Sequence, residues 1–353
     1  MKNALLDIVK AGVLAPSADN EHVFRAEILE AGIRLWPSPA FAAHAPTDLL
    51  PRVLGLLSMG AVAENMRLRA GALGLVTQVR WLAGTRNEPI AQIDLQSDSA
   101  QLADPLAAAI PTRHSNRRMY HGPGFTAAEA AQLNAAVSPV AGTQLIWLQG
   151  EPRRRALGLV WRAESERFLR KDLHHAVFSS VRFDLPWDQN ANWSLPPGAL
   201  EIEPPMRPMF KMLRHWALMR PLTWLGVHRL LGLRAGWLPA WQAPALGLLV
   251  STLPVEQGAT AVGAALERLW LRADTLNLAV QPLAASAVLL QPSHDSDGAS
   301  DALRATLAAG WQTIAPGAVP LMVVRMGRAV KPTMRSGRRA VEEYLAPTPP
   351  STR

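Results

Sequence analysis

Two arginines bracket a serine in Arg113-His114-Ser115-Asn116-Arg117, and Arg118, Met119 and Tyr120 follow. Arg113, Ser115 and Arg117 bring two planar guanidinium forks and a hydroxyl close together, a set that can neutralise and hydrogen-bond one phosphate dianion. A solvated basic loop would read the same way. A second group, Ala15-Pro16-Ser17-Ala18-Asp19-Asn20, comes just after a predicted helix. Pro16 and Asn20 favour a turn whose backbone amides, Ser17 hydroxyl and Asn20 amide can face one polar ring edge. The plain alternative is a helix-terminating turn. A third group, Arg335-Ser336-Gly337-Arg338-Arg339, runs into Ala340-Val341-Glu342-Glu343-Tyr344 after a predicted strand. It offers further cations for an anion, or a basic surface.

Other chemistry is weakly represented. His174 and His175 are adjacent, so they do not share a helix face, and no third metal ligand accompanies them. The chain has no cysteine, which excludes disulfides, thiolate metal sites and cysteine nucleophiles. No metal is expected. The net charge of +8 comes from arginine. That excess suits phosphate, carboxylate, nucleic acid or anionic lipid, yet no nucleic-acid-binding motif appears.

The elements that must position these groups can be read from periodicity. Residues 4–14 predict an amphipathic helix stopped by Pro16, and residues 24–37 a hairpin turning at Ala31-Gly32. A long helix follows over about 50–75, with small residues Gly60, Ala61 and Ala63 that let another backbone approach and Gly74 near its C-terminal end. Strands are expected at 76–83 and 90–95. Pro111 opens a second unit. Thr126 and Glu129 predict a capping box for a helix over 126–136. Ala141-Gly142 and the strand QLIWL echo Ala31-Gly32 and IRLW. An Arg-rich helix is expected at 151–176, a buried strand at 245–252, a helix over about 260–280 ended by Pro282, and a strand at 319–326. The tail 346–353 reads as disordered.

The two long helices are copies of one another. The run from Gly60 to Leu75 returns 203 residues later as Gly263 to Leu278, with Gly, Ala, Glu, Leu, Arg and Ala in register without a gap. That spacing is too wide for a solenoid and indicates two related half-domains. Glu64 with Arg69, and Glu267 with Arg272, are expected to pair at the interface between them. Residues from about 182 to 244 have no counterpart in the first half and are rich in Trp, Pro, Met and Arg, including Trp187, Trp193, Trp216, Trp224, Trp237 and Trp241. Two short helices are expected there, near 206–219 and 221–232. Such an insertion is a lid, a binding loop or a contact surface. Its aromatic residues would pack into a core, stack on a substrate, or touch a membrane surface.

Composition bounds the class. Apolar residues make up 49% and charged residues 18%, which supports a substantial core and excludes a solvated disordered chain. Lys2, Asp7 and Lys10 interrupt any signal-peptide core, and no apolar run nears the ~20 residues of a membrane span. A cytoplasmic protein without an integral membrane segment is expected.

Together the three motif groups resemble the FMN-dependent nitroreductase family. Its members typically show an Arg-x-Ser-x-Arg element, an Ala-Pro-Ser-x-x-Asn turn followed by Gln-Pro-Trp, and a C-terminal strand leading to basic residues and a Leu-Glu-Glu-like helix. The resemblance implies an α+β fold, normally dimeric, with flavin mononucleotide (FMN) bound at the subunit interface. In this chain the first half has the turn without the Arg-x-Ser-x-Arg element, and the second half has the reverse. The resemblance therefore implies an intramolecular pseudodimer with one composite flavin site. Its halves would be 1–112 and 113–345, with a lid insertion at about 182–244, and it would be monomeric. Carried over, Arg113, Ser115 and Arg117 would hold the FMN phosphate, with Arg338 or Arg339, and less directly Arg335, adding to it. Pro16, Ser17 and Asn20 would contact the isoalloxazine ring or ribityl chain. Glu21-His22-Val23-Phe24 departs from Gln-Pro-Trp, and His22 stands where a glutamine is expected, still able to hydrogen-bond.

The activity implied is hydride transfer from NADH or NADPH through the flavin to a nitro compound, a quinone or another electron-poor small molecule, with no catalytic side-chain acid or base. Two alternatives remain: a flavin-binding or storage protein whose insertion seals the site, and a degenerate partner module of an adenylating enzyme.

Overall fold

The computed structural model describes residues 2–43, 48–82, 84, 88–98, 100–293 and 298–346. The tail expected to be disordered lies outside these, apart from Ala346. The first part of the chain runs α1 (Lys2–Val13), β1 (Phe24–Ile28), β2 (Gly32–Pro37), a short α2 (Pro39–Ala42), α3 (Leu49–Ala72), β3 (Leu75–Trp81) and β4 (Ala91–Ser97). The second runs α4 (Ala127–Val137), β5 (Thr143–Trp147), α5 (Gly150–Leu169), α6 (Lys171–Ser179), α7 (Arg207–Leu213), α8 (Trp216–Trp224), α9 (Val227–Gly232), α10 (Leu238–Gln242), β6 (Ala245–Ser251), α11 (Val255–Thr275), β7 (Ala279–Leu283), α12 (Ala285–Val288), α13 (Asp301–Ile314) and β8 (Val319–Gly327).

Local chemistry accounts for the boundaries. Thr126 and Glu129 close the expected capping box at the start of α4. Gly74 adopts φ 72° just past α3, a left-handed conformation glycine takes without a Cβ clash. The Arg-rich helix expected over 151–176 is instead two helices. It stops at Arg170, whose extended backbone (ψ 134°) separates α5 from α6.

The strands form two antiparallel four-stranded sheets of matching order, β1-β2-β4-β3 and β5-β6-β8-β7. In each, the second strand leads into a long helix and that helix into the edge strand. This places β6, not β5, opposite β2. The expected echo between QLIWL and IRLW is therefore corrected: QLIW lies in β5, whose counterpart is β1. The reason is that a hairpin turn in the first unit, Leu29–Ala31, is replaced in the second by the whole segment 148–244, so adjacency in sequence misleads. That segment begins earlier than the 182–244 expected, because α5 and α6 belong to it.

The fold is mixed α+β, with α3 and α11 packed against each other at its centre. Two buried side chains show how closely the units correspond. Asn65 on α3 donates to the Ala11 carbonyl of α1 at 3.2 Å, and Arg268 on α11 donates to the Ala136 carbonyl of α4 at 2.7 Å. Asn65 and Arg268 are 203 residues apart, so α1 and α4 take equivalent places. The chain's end crosses back: Leu345 forms a parallel bridge with Ala26 of β1, and the Ala346 amide donates to the Ala26 carbonyl at 2.8 Å.

The expected pairs Glu64–Arg69 and Glu267–Arg272 do not form. Glu64 binds Arg67 at 2.7 Å and Arg268 at 2.8 Å, Arg69 binds Asp7 at 2.5 Å, and Glu267 meets Arg113 at 3.1 Å. Residues five apart lie on different faces of a helix, whereas residues three apart are neighbours.

Candidate functional site

A cavity of about 640 Å³ opens beside the central helices, within the size range of small-molecule and cofactor sites. Its walls come from five places. The N-terminal turn gives Pro16, Ser17, Asp19 and Asn20; the basic stretch gives Arg113, Ser115 and Arg117; the C-terminal segment gives Arg335, Ser336 and Arg338. Leu54 and Leu57 of α3, Leu266 and Trp270 of α11, and Pro282 at the end of β7 line it from the core, while the insertion closes it with Phe168, Val177, Leu200 and Phe210. Three groups far apart in sequence thus meet in one space.

Their side chains have different duties. Arg113 is buried, donates through Nη2 to the Leu14 carbonyl at 2.8 Å, faces Glu267 at 3.1 Å and lies 4.6 Å from the Trp270 ring. Arg338 donates to the Val13 and Ala15 carbonyls, both at 3.0 Å, and to the Asn20 side-chain oxygen. Both cations therefore sit on the carbonyl end of α1, where unsatisfied carbonyls and the helix dipole favour positive charge. Burial holds the Arg338 guanidinium down to about 10, helped by the nearby Arg113 charge.

Arg117 differs. Its one hydrogen bond is to the Ala199 carbonyl at 3.2 Å, and no carboxylate lies within ion-pair distance among the described residues. Burial lowers its pKa, while the more distant Asp19 charge opposes that shift. Arg335 is exposed and lines the same space, and neither it nor the Ser115 or Ser17 hydroxyl has a hydrogen-bond partner among the described residues. The cavity thus carries two cations outside any ion pair and two hydroxyls without a partner among the described residues, with the Asp19 carboxylate in the same lining. The lining's other ion pairs, Arg167–Glu164 at 2.9 Å and Arg234–Glu203 at 2.5 Å, are internally balanced.

The N-terminal turn is strained. Asp19 and Asn20 take φ 52° and 60°, a left-handed conformation uncommon for residues with a Cβ and one that Asn and Asp tolerate best. The turn is held by the Asn20 amide, which donates to the Ser194 carbonyl at 3.0 Å and the Gly337 carbonyl at 3.3 Å. Asn20 consequently ties together the turn, the insertion and the C-terminal segment.

Two expected residues fall outside the cavity. His22 stacks on Tyr344 with ring centroids 4.1 Å apart, and its Nε2 meets the Tyr344 hydroxyl at 2.7 Å. Burial, reinforced by Arg339, lowers its pKa to about 4, so the ring is neutral near pH 7. Arg339 pairs with Glu343 at 3.3 Å and covers Trp193. The extended backbone after Asn20 turns residues 21–23 away from the cavity and toward the C-terminal segment. His174 donates through Nε2 to the Leu213 carbonyl at 2.9 Å and packs on Phe178 and Trp216. None of Trp187, Trp193, Trp216, Trp224, Trp237 and Trp241 lines the cavity. Trp270 does, and the sequence held a signal for it: it stands where the first copy has Arg67, a break in the repeat.

No family model matches the chain, and no curated protein does. Solved structures are similar to it. A putative nitroreductase in complex with FMN from Desulfovibrio desulfuricans shares 13% identity at a TM-score of 0.37, over 70% of this chain and 98% of that one. A nitroreductase-like family protein from Bacillus cereus shares 11% at 0.36, over 71% and 100%. The FMN-dependent nitroreductase NfnB from Mycobacterium smegmatis, in complex with NADPH, shares 15% at 0.37, over 68% and 96%. The family named in these structures is the one that the three motif groups resemble. Among the described residues no helix is long and apolar enough to cross a membrane.

Proposed function

We propose that this chain is an FMN-dependent oxidoreductase of the nitroreductase type, built as a fused pseudodimer with one composite site. The observation that carries the reading is the meeting of Ser17, Ser115, Arg117 and Arg335 in one cavity, with neither Arg117 nor Arg335 in an ion pair among the described residues. An FMN phosphate fits these groups, because a dianion would take the Arg117 fork, the Ser115 hydroxyl and the exposed charge of Arg335. Arg113 and Arg338 act one step back: they fix the end of α1 and hence the Pro16–Asn20 turn that faces the same space.

FMN, when bound, supplies hydride acceptance from a reduced nicotinamide and donation to an electron-poor acceptor. The chain's own part is position and environment. Leu54, Leu57, Pro282 and Met322 give apolar walls that exclude water from a planar ring. The insertion closes the opposite side, and the reading assigns no catalytic acid or base to a side chain. Acceptors of the nitro, quinone or similar electron-poor class suit such walls.

The storage reading is favoured by one feature, the Asn20 bonds to Ser194 and Gly337, which fasten the insertion over the cavity. Two measurements decide. An absorbance spectrum of the purified protein, and titration with FMN if it is colourless, tests cofactor binding; no uptake overturns the proposal. Stopped-flow mixing with NADH or NADPH then separates an enzyme, whose flavin bleaches rapidly, from a storage protein reducible only by dithionite.

A further inference from the structure

The insertion carries a surface that the flavin reading does not use. Helices α7, α8 and α9 follow one another in the insertion, each turning a few residues inward: Leu213 on α7, Met219 and Thr223 on α8, His228 and Gly232 on α9. Their other faces are apolar and exposed. Trp224 is 84% exposed, Leu225 79% and Leu230 66%, with Met212 and Leu218 beside them in sequence also exposed. On α8 the outward positions Ala217, Pro221 and Trp224 recur at helical spacing, with Leu225 exposed just past its end, which makes a stripe rather than scattered residues. Side chains of this size left in water in a contiguous group mark an interaction surface.

Charge specifies the occupant. From Pro204 to Val255 the chain contains no Asp or Glu, yet α7–α9 carry Arg207, Lys211, Arg220 and Arg229. An interface with a second protein would ordinarily place acids as well as bases at its rim. A face of Trp, Leu and Met whose own helices carry cations and no acid complements the interfacial zone of an anionic bilayer, where Trp is at home and basic side chains meet lipid phosphates. The cavity reaches the same face: Met206 and Met209 both line it and stand exposed at the start of α7.

We propose that the α7–α9 face docks on the surface of an anionic phospholipid bilayer, lying in the interface without spanning it. The apolar arm of the cavity then opens toward lipid rather than toward water. This inference concerns the insertion's outer face and holds or fails independently of flavin binding.

The test is co-sedimentation of the full chain with vesicles of phosphatidylcholine alone or mixed with phosphatidylglycerol. Binding is expected to the anionic vesicles and to weaken as salt is raised. Trp224→Ser combined with Leu225→Ser should weaken it at least about tenfold, and Arg220→Glu with Arg229→Glu by a comparable factor at low salt. Both pairs are exposed and outside the cavity, and unchanged thermal melting confirms that each variant is folded. Failure to bind anionic vesicles, or equal binding by the variants, overturns the proposal. So does a concentration-dependent self-association that the Trp224 and Leu225 variant abolishes, which would assign the face to a second copy of the chain.

Discussion

Gly60 and Gly263 face each other's helices in reciprocal fashion. A Cβ on Gly60 would lie 2.0 Å from the Thr260 carbonyl oxygen, and a Cβ on Gly263 would lie 2.0 Å from that of Leu57. Thr260 is 203 residues beyond Leu57, as Gly263 is beyond Gly60. The same contact is thus made twice, at positions 203 residues apart, as the proposed pseudodimer requires of an isologous interface. Gly60→Ala and Gly263→Ala should each destabilise by about 1–3 kcal/mol, because the obstacle is backbone on a rigid helix. Gly158→Ala on α5 meets nothing within 4 Å and should be neutral or stabilising by up to about 1 kcal/mol. Denaturant melts of the three variants check this contrast.

Glu267 gives a pH dependence with a defined sign. It is fully buried, and burial raises its carboxyl from 4.5 to about 7 despite Arg113 and Asn65, which favour the charged form. Between those values the folded chain holds a proton that the unfolded chain releases, so stability falls as pH rises through the window and levels above about 7. Glu267→Gln mimics the protonated group and should remove this component. The stability difference between variant and parent, followed from pH 4 to 8, should therefore change in the variant's favour; a constant difference would refute the assignment.

Arg117 and Arg113 should separate by readout. Arg117→Ala removes a charged donor aimed at the proposed phosphate, and FMN affinity should fall roughly 10- to 100-fold with little change in melting. Arg113→Ala leaves Glu267 without its cation and uncaps the Leu14 carbonyl, so it should lower stability by about 3 kcal/mol or more. Flavin titration alongside thermal melting tells the two apart.

Asn20→Ala should loosen the insertion. It removes two buried donors and places a less tolerant residue at φ 60°. A loss of about 1–3 kcal/mol is expected, with faster hydrogen exchange around Ser194 and Gly337. Asn20→Gly keeps the backbone at ease while losing the same bonds, so the gap between the two variants measures the strain.

The central helices, α1, α4 and most strands are legible because they rest on local rules: the capping box at Thr126, the glycine past α3, the register of Gly60 with Gly263. What escaped was every relation that local rules do not fix. Arg113 reads as a phosphate ligand until Glu267 and the α1 carbonyls are seen to claim it. His22 reads as a ring contact until Tyr344 stacks on it. QLIW resembles IRLW in sequence, yet β5 is the counterpart of β1, because a long segment separates two strands that are neighbours in the sheet. A departure from the repeat is informative too: Trp270, which stands where the first copy has Arg67, lines the cavity.

The return of Leu345 and Ala346 to β1 gives the molecule a clasp. The last described residues of the polypeptide are seated on the sheet made by its first, so each end is anchored in the territory of the other. A single cut between the units, at the segment joining β4 to α4, should leave two fragments that stay associated and can be reassembled from separate expression, as a complementing pair rather than as independent folds.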